Sequence, residues 1–236
     1  MTDTMSKPDI RRYASLGHAD HGWLDARHHF SFANYYDPAR MGWGAIRVWN
    51  DDIIAAQSGF PPHPHADMEI ITFVREGAIS HRDSLGNEGR TEAGDVQVMS
   101  AGTGIRHSEF NLEDRQTRIF QIWIVPDEAG GNPQWGAKPF PRGDRAGRWQ
   151  VLASGMDDAD ALPIRAQARV MGATIRAGEY LSYDVGEGRH AYLVPSTGRV
   201  TLNGDALETG DGAALSGGSI TIAAIEDAEV LLVDAS

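Results

Sequence analysis

Apolar and polar positions along this chain alternate in short runs rather than at helical spacing. Residues 68–75 (MEIITFVR) and 78–82 (AISHR) alternate imperfectly and are rich in β-branched side chains, which predicts two strands. Residues 44–50 (GAIRVWN) and 52–55 read as short strand-like runs joined at Asn50-Asp51, and residues 96–99 and 119–125 (IFQIWIV) add two more. Turn chemistry separates them. Glu76-Gly77 ends one run, residues 83–88 (DSLGNE) tolerate left-handed backbone, and Glu92-Ala93-Gly94-Asp95 makes a third turn. Short strands punctuated in this way predict a jelly-roll β-barrel with little helix.

Residues 127–148 (DEAGGNPQWGAKPFPRGDRAGR) break the pattern, because glycine, proline and charge dominate and periodicity is lost. Beyond them the first half repeats in weaker form. Setting Gly77 on Gly198, and Glu92-Ala93-Gly94-Asp95 on Glu208-Thr209-Gly210-Asp211, aligns two strand series punctuated by glycine. The expected architecture is therefore all-β, two jelly-roll barrels packed together: residues 1–126 a metal-binding barrel, 127–148 a linker, and 149–236 a second barrel. Residues 1–12 are polar, an arm that either stays loose or adds a strand to a neighbouring sheet.

The chemistry gathers in residues 59–111. Two pairs, His63-Pro64-His65 and His107-Ser108-Glu109, lie on strand-like segments, where residues two apart share a face and can converge on one ion. Three imidazoles and a carboxylate, without thiolate, suit a borderline divalent cation: iron, manganese, nickel, copper or zinc. A lone histidine in an apolar strand is more often a hydrogen-bonded packing residue, and the chain has 9 histidines. Matching parity in both pairs favours a site, as do Gly94-Asp95, Gly102-Thr103-Gly104 and the brace Pro61-Pro62-His63-Pro64. His18, His21, His28 and His29 stand among aromatics in residues 13–41, where packing and loop hydrogen bonds are the expected use.

Bulk composition narrows the function. With 236 residues, 41% of them hydrophobic, the chain can bury a substantial core. A net charge of −12 repels phosphate backbones, so direct nucleic-acid binding is not expected. Zero cysteines exclude disulfides, a thiolate nucleophile and sulfur ligation. Neither a signal peptide nor a membrane-spanning run is visible, which makes the cytoplasm the expected compartment and membrane partners unexpected.

Residues 17–38 (GHADHGWLDARHHFSFANYYDP), 59–70 (GFPPHPHADMEI), 76–87 (EGAISHRDSLGN) and 93–111 (AGDVQVMSAGTGIRHSEFN) resemble the pirin family of the cupin superfamily. The likeness is greatest to its bacterial members described as quercetin 2,3-dioxygenases. It implies that His63, His65, His107 and Glu109 are the metal ligands, with iron(II) the first expectation for the ion. Most metal cupins take the carboxylate from the end of the first motif, here Glu69, whereas pirins resemble one another in using the position of Glu109. Glu69 shares strand parity with His65 and is expected to stand behind a ligating imidazole as its hydrogen-bond partner.

The resemblance further implies opening of a flavonol ring through a metal-bound enolate and O2. Glu109 would take the hydroxyl proton, and Phe60, Met68, Met99, Ile105 and Phe110 would supply an apolar mouth. Other members of the family resemble non-enzymatic metal- or redox-sensing regulators that act through a protein partner, and the same four ligands would serve that role. In the second half the alignment puts Asp184 and Gly186 in the places of His63 and His65, and Ala223 and Ile225 in those of His107 and Glu109. His190 then falls where Glu69 stood, and the second barrel is expected to hold no metal.

Overall fold

The computed structural model describes residues 7–236, which form antiparallel sheets apart from one short parallel pairing and 3-10 turns at Tyr13–Ser15 and Arg142–Arg145. In the first half a seven-stranded sheet runs in the order Gln134–Lys138, Val96–Ser100, Glu69–Glu76, Thr117–Ile124, Ile46–Ile54, Leu24–His28, Gly17–Asp20. Against it lies a four-stranded sheet in the order Ser58–His65, Ile105–Asn111, Ala78–Asp83, Glu88–Glu92. The second half is one nine-stranded sheet whose long strands are Ala168–Ile175, Ala228–Ala235, Tyr180–Thr197 and Gly212–Ala224. The fold is all-β, two jelly-roll barrels packed together, as the strand and turn pattern predicts.

The imperfect alternation of the central strands has a structural cause. Side chains of a strand point alternately to its two faces, and here both faces are covered, so Glu69–Glu76 is buried over all but its last residue. One face, carrying Trp49, Phe73, Phe120 and Ile122, packs on Leu152, Val170, Tyr192 and Val233 of the second half in the largest apolar cluster. Fully burying a side chain of this size contributes about 1.5–3 kcal/mol. The other face looks into the first barrel and carries polar residues, Thr72, Gln97 and Gln121 among them, which are also buried.

Several expectations change. Asn50-Asp51 does not separate two runs but lies inside the single strand Ile46–Ile54, paired with Gln121 and Phe120. These polar residues are tolerated because each has a partner: Asn50 bonds His28 at 2.8 Å and Asp51 bonds Arg75 at 2.6 Å. The N-terminal arm takes the second of its two options, since Asp9–Arg11 pairs with Gly212–Ala224 of the other half; residues 1–6 lie outside the described residues. The segment 127–148 supplies an ordered edge strand, Gln134–Lys138, to the first sheet.

Strand pairing also corrects the register between the halves. His81, four residues past Gly77, pairs with Glu109, and Leu202, four past Gly198, pairs with Ile222. The counterpart of Glu109 is therefore Ile222 rather than Ile225, and that of His107 is Ile220, which pairs with Tyr183 as His107 pairs with His63. Gly217 and Gly218 lie at positive φ inside the unbroken strand Gly212–Ala224, whereas residues 101–104 separate two strands in the first half, so an alignment anchored at Gly210 drifts. Ile220 and Ile222 are fully buried in an aliphatic cluster with Met171, Leu193, Leu215 and Leu232.

A buried ion pair joins the halves. Arg145, with no exposed side-chain surface, donates to Glu229 and to the carbonyls of Gly94 and Phe140, and Glu229 also accepts from Ser196 at 2.9 Å. Burial pushes the Glu229 carboxyl up, but the guanidinium of Arg145, its hydrogen bond and Arg142 more than offset this and hold it below the usual 4.5. Glu229→Ala leaves Arg145 buried without its carboxylate and is expected to cost about 3–5 kcal/mol in denaturant melts at pH 7. Because the folded-state pKa is depressed, this stabilisation is present above the unfolded value near 4.5 and is lost as pH falls through the folded one. The gap between wild type and variant should narrow in the same direction; a gap independent of pH would contradict the ion pair.

Candidate metal centre

The register of the four-stranded sheet sets the geometry. Ile105–Asn111 lies between Ser58–His65 and Ala78–Asp83, with His107 directly opposite His63 on one side and Asp83 on the other. A bulge between His107 and Glu109 shifts the pairing, so Glu109 stands opposite Phe60 and His81. His63 and His107 bring their Nε2 atoms to 3.1 Å, and the His65 ring lies 4.8 Å from that of His63 and 5.0 Å from that of His107. Candidate ligand atoms of these three histidines all lie within 4.8 Å of one another. His81, His107 and Glu109 form a second such trio, so His107 belongs to both.

Ser58–His65 is an edge strand, where Pro61, Pro62 and Pro64 remove donors the ladder does not need. The carbonyl of Pro61 accepts a 2.8 Å hydrogen bond from His63 Nδ1. With its proton on Nδ1, the neutral His63 ring turns the Nε2 lone pair toward His107. Burial, then the neighbouring histidines, push His107 down to about 2, and burial with His63 pushes His65 down to about 4. Two Nε2 atoms at this spacing share a proton in a hydrogen bond, and a cation among the three rings would take that proton's place. The donor set thus fits a divalent metal ion.

Glu109 is held from the opposite sheet. One carboxylate oxygen accepts from Thr72 Oγ1 at 3.1 Å and Gln97 Nε2 at 2.6 Å, and the other from Gln121 Nε2 at 2.9 Å. Burial raises its pKa to about 7, although these three hydrogen bonds pull the other way. Gln97 and Gln121 are oriented in turn by Thr91 and Trp123. None of these residues was singled out in the sequence; the available signal was glutamine and threonine at inward positions of otherwise apolar strands.

The other expected site residues take different places around this centre. Glu69 is buried and accepts from Ser100, with Arg165 nearby; among the described residues it has no hydrogen bond to a candidate ligand. The groups behind the imidazoles are instead Pro61 O and His81, which contacts His107 at 3.5 Å between Nδ1 atoms. Phe60 packs edge-on against Trp23 at 5.1 Å, and Met68, Met99 and Ile105 join an apolar cluster with Ile70, Trp123 and Trp135. Ile105 also lines a cavity of about 450 Å³ with Pro64, His65 and Gly104. Phe110 lines another, of about 600 Å³, with Arg82, Arg106, His107 and Leu112. His28 and His29 serve packing, bonded to Asn50 and to Tyr192 at 2.9 Å.

Comparison with known proteins gives a consistent result. A family model described as Pirin matches residues 9–124, and one described as Quercetinase C-terminal cupin domain matches residues 151–235. The chain is 64% identical over 230 residues to a pirin-like protein of Caulobacter vibrioides, covering 97% of this chain and 99% of that one. It is 42% identical over 227 residues to quercetin 2,3-dioxygenase of Escherichia coli strain K12, covering 95% and 97%. The crystal structure of the Escherichia coli bacterial pirin YhhW in complex with nickel(II) superposes with a TM-score of 0.91 at 41% identity, covering 97% of this chain and 99% of that one. No helix among the described residues is long and apolar enough to cross a membrane.

One buried carboxylate stands apart from these networks. Asp52 is 2% exposed and its Oδ1 has no hydrogen-bond partner. Burial, then Asp51 and Glu109, hold its pKa well above the usual 3.8. A raised folded-state value gives stability that is fully present below the unfolded pKa and is lost as pH rises. Asp52→Asn removes that loss, so the variant should melt higher than wild type at pH 7, by about 2–4 °C for each 1 kcal/mol recovered. The difference should shrink toward pH 4, and a variant that melts lower at pH 7 would show that the carboxylate has a partner it needs.

Proposed function

The chain belongs to the pirin family of the cupin superfamily, and on that premise we propose that it is a metal-dependent dioxygenase that opens the ring of a flavonol such as quercetin, using O2. The ligands in this reading are His63, His65, His107 and Glu109, and the ion is a divalent metal, iron(II) first, with manganese, nickel, copper or zinc as alternatives. The observation that carries it is the 3.1 Å approach of two imidazole nitrogens, with the His65 ring about 5 Å from both. A bound divalent ion would supply Lewis acidity, lowering the pKa of a substrate hydroxyl.

The protein's own groups supply the rest. Thr72, Gln97 and Gln121 fix the Glu109 carboxylate while it takes and holds the hydroxyl proton. His63 and His65 are only half-buried, whereas His107 is 3% exposed, so substrate approaches from the side of the edge strand. The 450 Å³ cavity there, with Pro64, Ile105 and Gly104 in its wall, is within the size range of small-molecule sites. The second barrel, with Ile220 and Ile222 at the positions of His107 and Glu109, acts as scaffold.

A second reading is a non-enzymatic metal-dependent regulator that acts through a protein partner. It is favoured by the 600 Å³ depression in which His107 meets Arg82, Arg106 and exposed Leu112, a surface that links the candidate centre to the outside.

The test is oxygen uptake on adding quercetin to protein reconstituted anaerobically with each of the five metals in parallel. Uptake should depend on one or more of them. His107→Ala should remain folded but lose most bound metal and all uptake; full metal content in that variant would remove His107 from the ligand set. Glu109→Gln should keep some metal and turn over about 10²–10⁴-fold more slowly, the range for loss of a general base. Loaded wild-type protein that consumes no oxygen with any metal would overturn the oxygenase reading and favour the regulator.

A further inference from the structure

Resting on the reading of His107 as a ligand, we propose that Asp83 and His81 are positioning residues whose hydrogen-bonded relay holds the proton of His107 on Nδ1 and keeps its Nε2 lone pair free for the metal.

The relay starts from a carboxylate whose surroundings allow it only to accept. Asp83 Oδ1 takes hydrogen bonds from the backbone N–H groups of Leu85 at 2.9 Å and Asn87 at 3.0 Å. Its Oδ2 takes one from Asn87 Nδ2 at 2.9 Å and one from His81 Nε2 at 3.1 Å. The Asp83 side chain has no exposed surface. An ionised carboxylate has no proton to give, so His81 must carry its proton on Nε2 and present an acceptor at Nδ1. That atom faces His107 Nδ1 at 3.5 Å, the outer limit of a hydrogen bond. His107 is the donor at Nδ1 once an ion replaces the proton that its Nε2 shares with His63 Nε2 at 3.1 Å.

The His81 ring cannot turn out of this line. It is 1% exposed and stacks on Trp135 at 4.7 Å with 7° between the planes. Trp135 is placed by pairing of the edge strand Gln134–Lys138 with Val96–Ser100, opposite Met99. Its ring lies so close to Gly89 that a Cβ there would be 2.2 Å away. The centre therefore fixes two tautomers by two acceptors of different kinds, a backbone carbonyl for His63 and a carboxylate-oriented imidazole for His107. Metal-bound histidines with such an acceptor behind them lose about 10–100-fold in metal affinity when it is removed.

Three variants test the relay. Asp83→Asn presents an amide N–H to His81 and inverts the polarity of the chain, His81→Phe keeps the stack on Trp135 but removes both nitrogens, and His81→Asn restores an acceptor near the Nδ1 position. The readouts are 15N spectra of the histidines in zinc(II)-loaded protein, which report the tautomer, and calorimetric affinity for nickel(II), with thermal melts to confirm folding. Wild type should show His107 protonated at Nδ1; Asp83→Asn and His81→Phe should shift that population and bind nickel(II) about 10–100-fold more weakly. His81→Asn should bind within about threefold of wild type, a recovery that only an acceptor role explains. Wild-type His107 protonated at Nε2, or unchanged nickel affinity in both Asp83→Asn and His81→Phe, overturns the proposal. Equal losses in His81→Asn and His81→Phe also overturn it, since His81 would then be a ligand in the trio with His107 and Glu109. Failure of the ligand reading looks different: wild type then binds neither nickel(II) nor zinc(II).

Discussion

Both faces of the seven-stranded sheet are buried, and each is buried against something different. The outer face lies on the nine-stranded sheet through Trp49, Phe73, Phe120 and Tyr192, members of the largest apolar cluster. That contact frees the inner face from the need to be apolar. The inner face can carry Thr72, Gln97 and Gln121 out of water only because the other side of the same strands contributes most of the burial energy.

The polar interior is tolerable because nearly every group in it is satisfied. Glu109 accepts three hydrogen bonds, and Gln97 and Gln121 are fixed by further partners, so the carboxylate sits in a rigid cradle. The second half shows the alternative: at the positions of His107 and Glu109 it has Ile220 and Ile222, packed into an aliphatic cluster. One architecture thus appears twice, once with its interior given to chemistry and once with it given to packing. The Arg145–Glu229 pair lies between them and couples the turn at Gly94, which leads into the strand bearing Gln97, to the second sheet.

Local features of this arrangement were legible in the sequence, and non-local ones were not. Parity alone put His63 with His65 and His107 with Glu109, because a strand's two-residue period is a local rule. The turns at Gly77 and Gly94 were legible for the same reason, and both glycines have positive φ. The partner of each pair is fixed by register, which propensity does not encode. So Glu69 could be assigned to an imidazole by parity, whereas pairing with Ser100 on the adjacent strand gives it a hydroxyl instead. His81-Arg82-Asp83 has the same two-residue spacing as the two ligand pairs, but its use depends on lying beside Ile105–Asn111, a contact made across a long stretch of chain. Asn50 and Asp51 read as a break because their polarity is visible and their buried partners, His28 and Arg75, are not.

The asymmetry of the histidines follows from where their strands lie. Ser58–His65 is at the sheet edge, where prolines are allowed and side chains stay accessible, so His63 and His65 are half-buried and His63 is steadied by its own strand's carbonyl. Ile105–Asn111 has neighbours on both sides, so His107 is buried and is steadied from across the ladder by His81, which Asp83 and Trp135 hold in turn. These three imidazoles would hold an ion between an accessible edge strand and a buried central one. The Glu109 carboxylate reaches inward instead, to the glutamines of the facing sheet. Accessible imidazoles at the edge and a held carboxylate within thus arise from one choice of strand order.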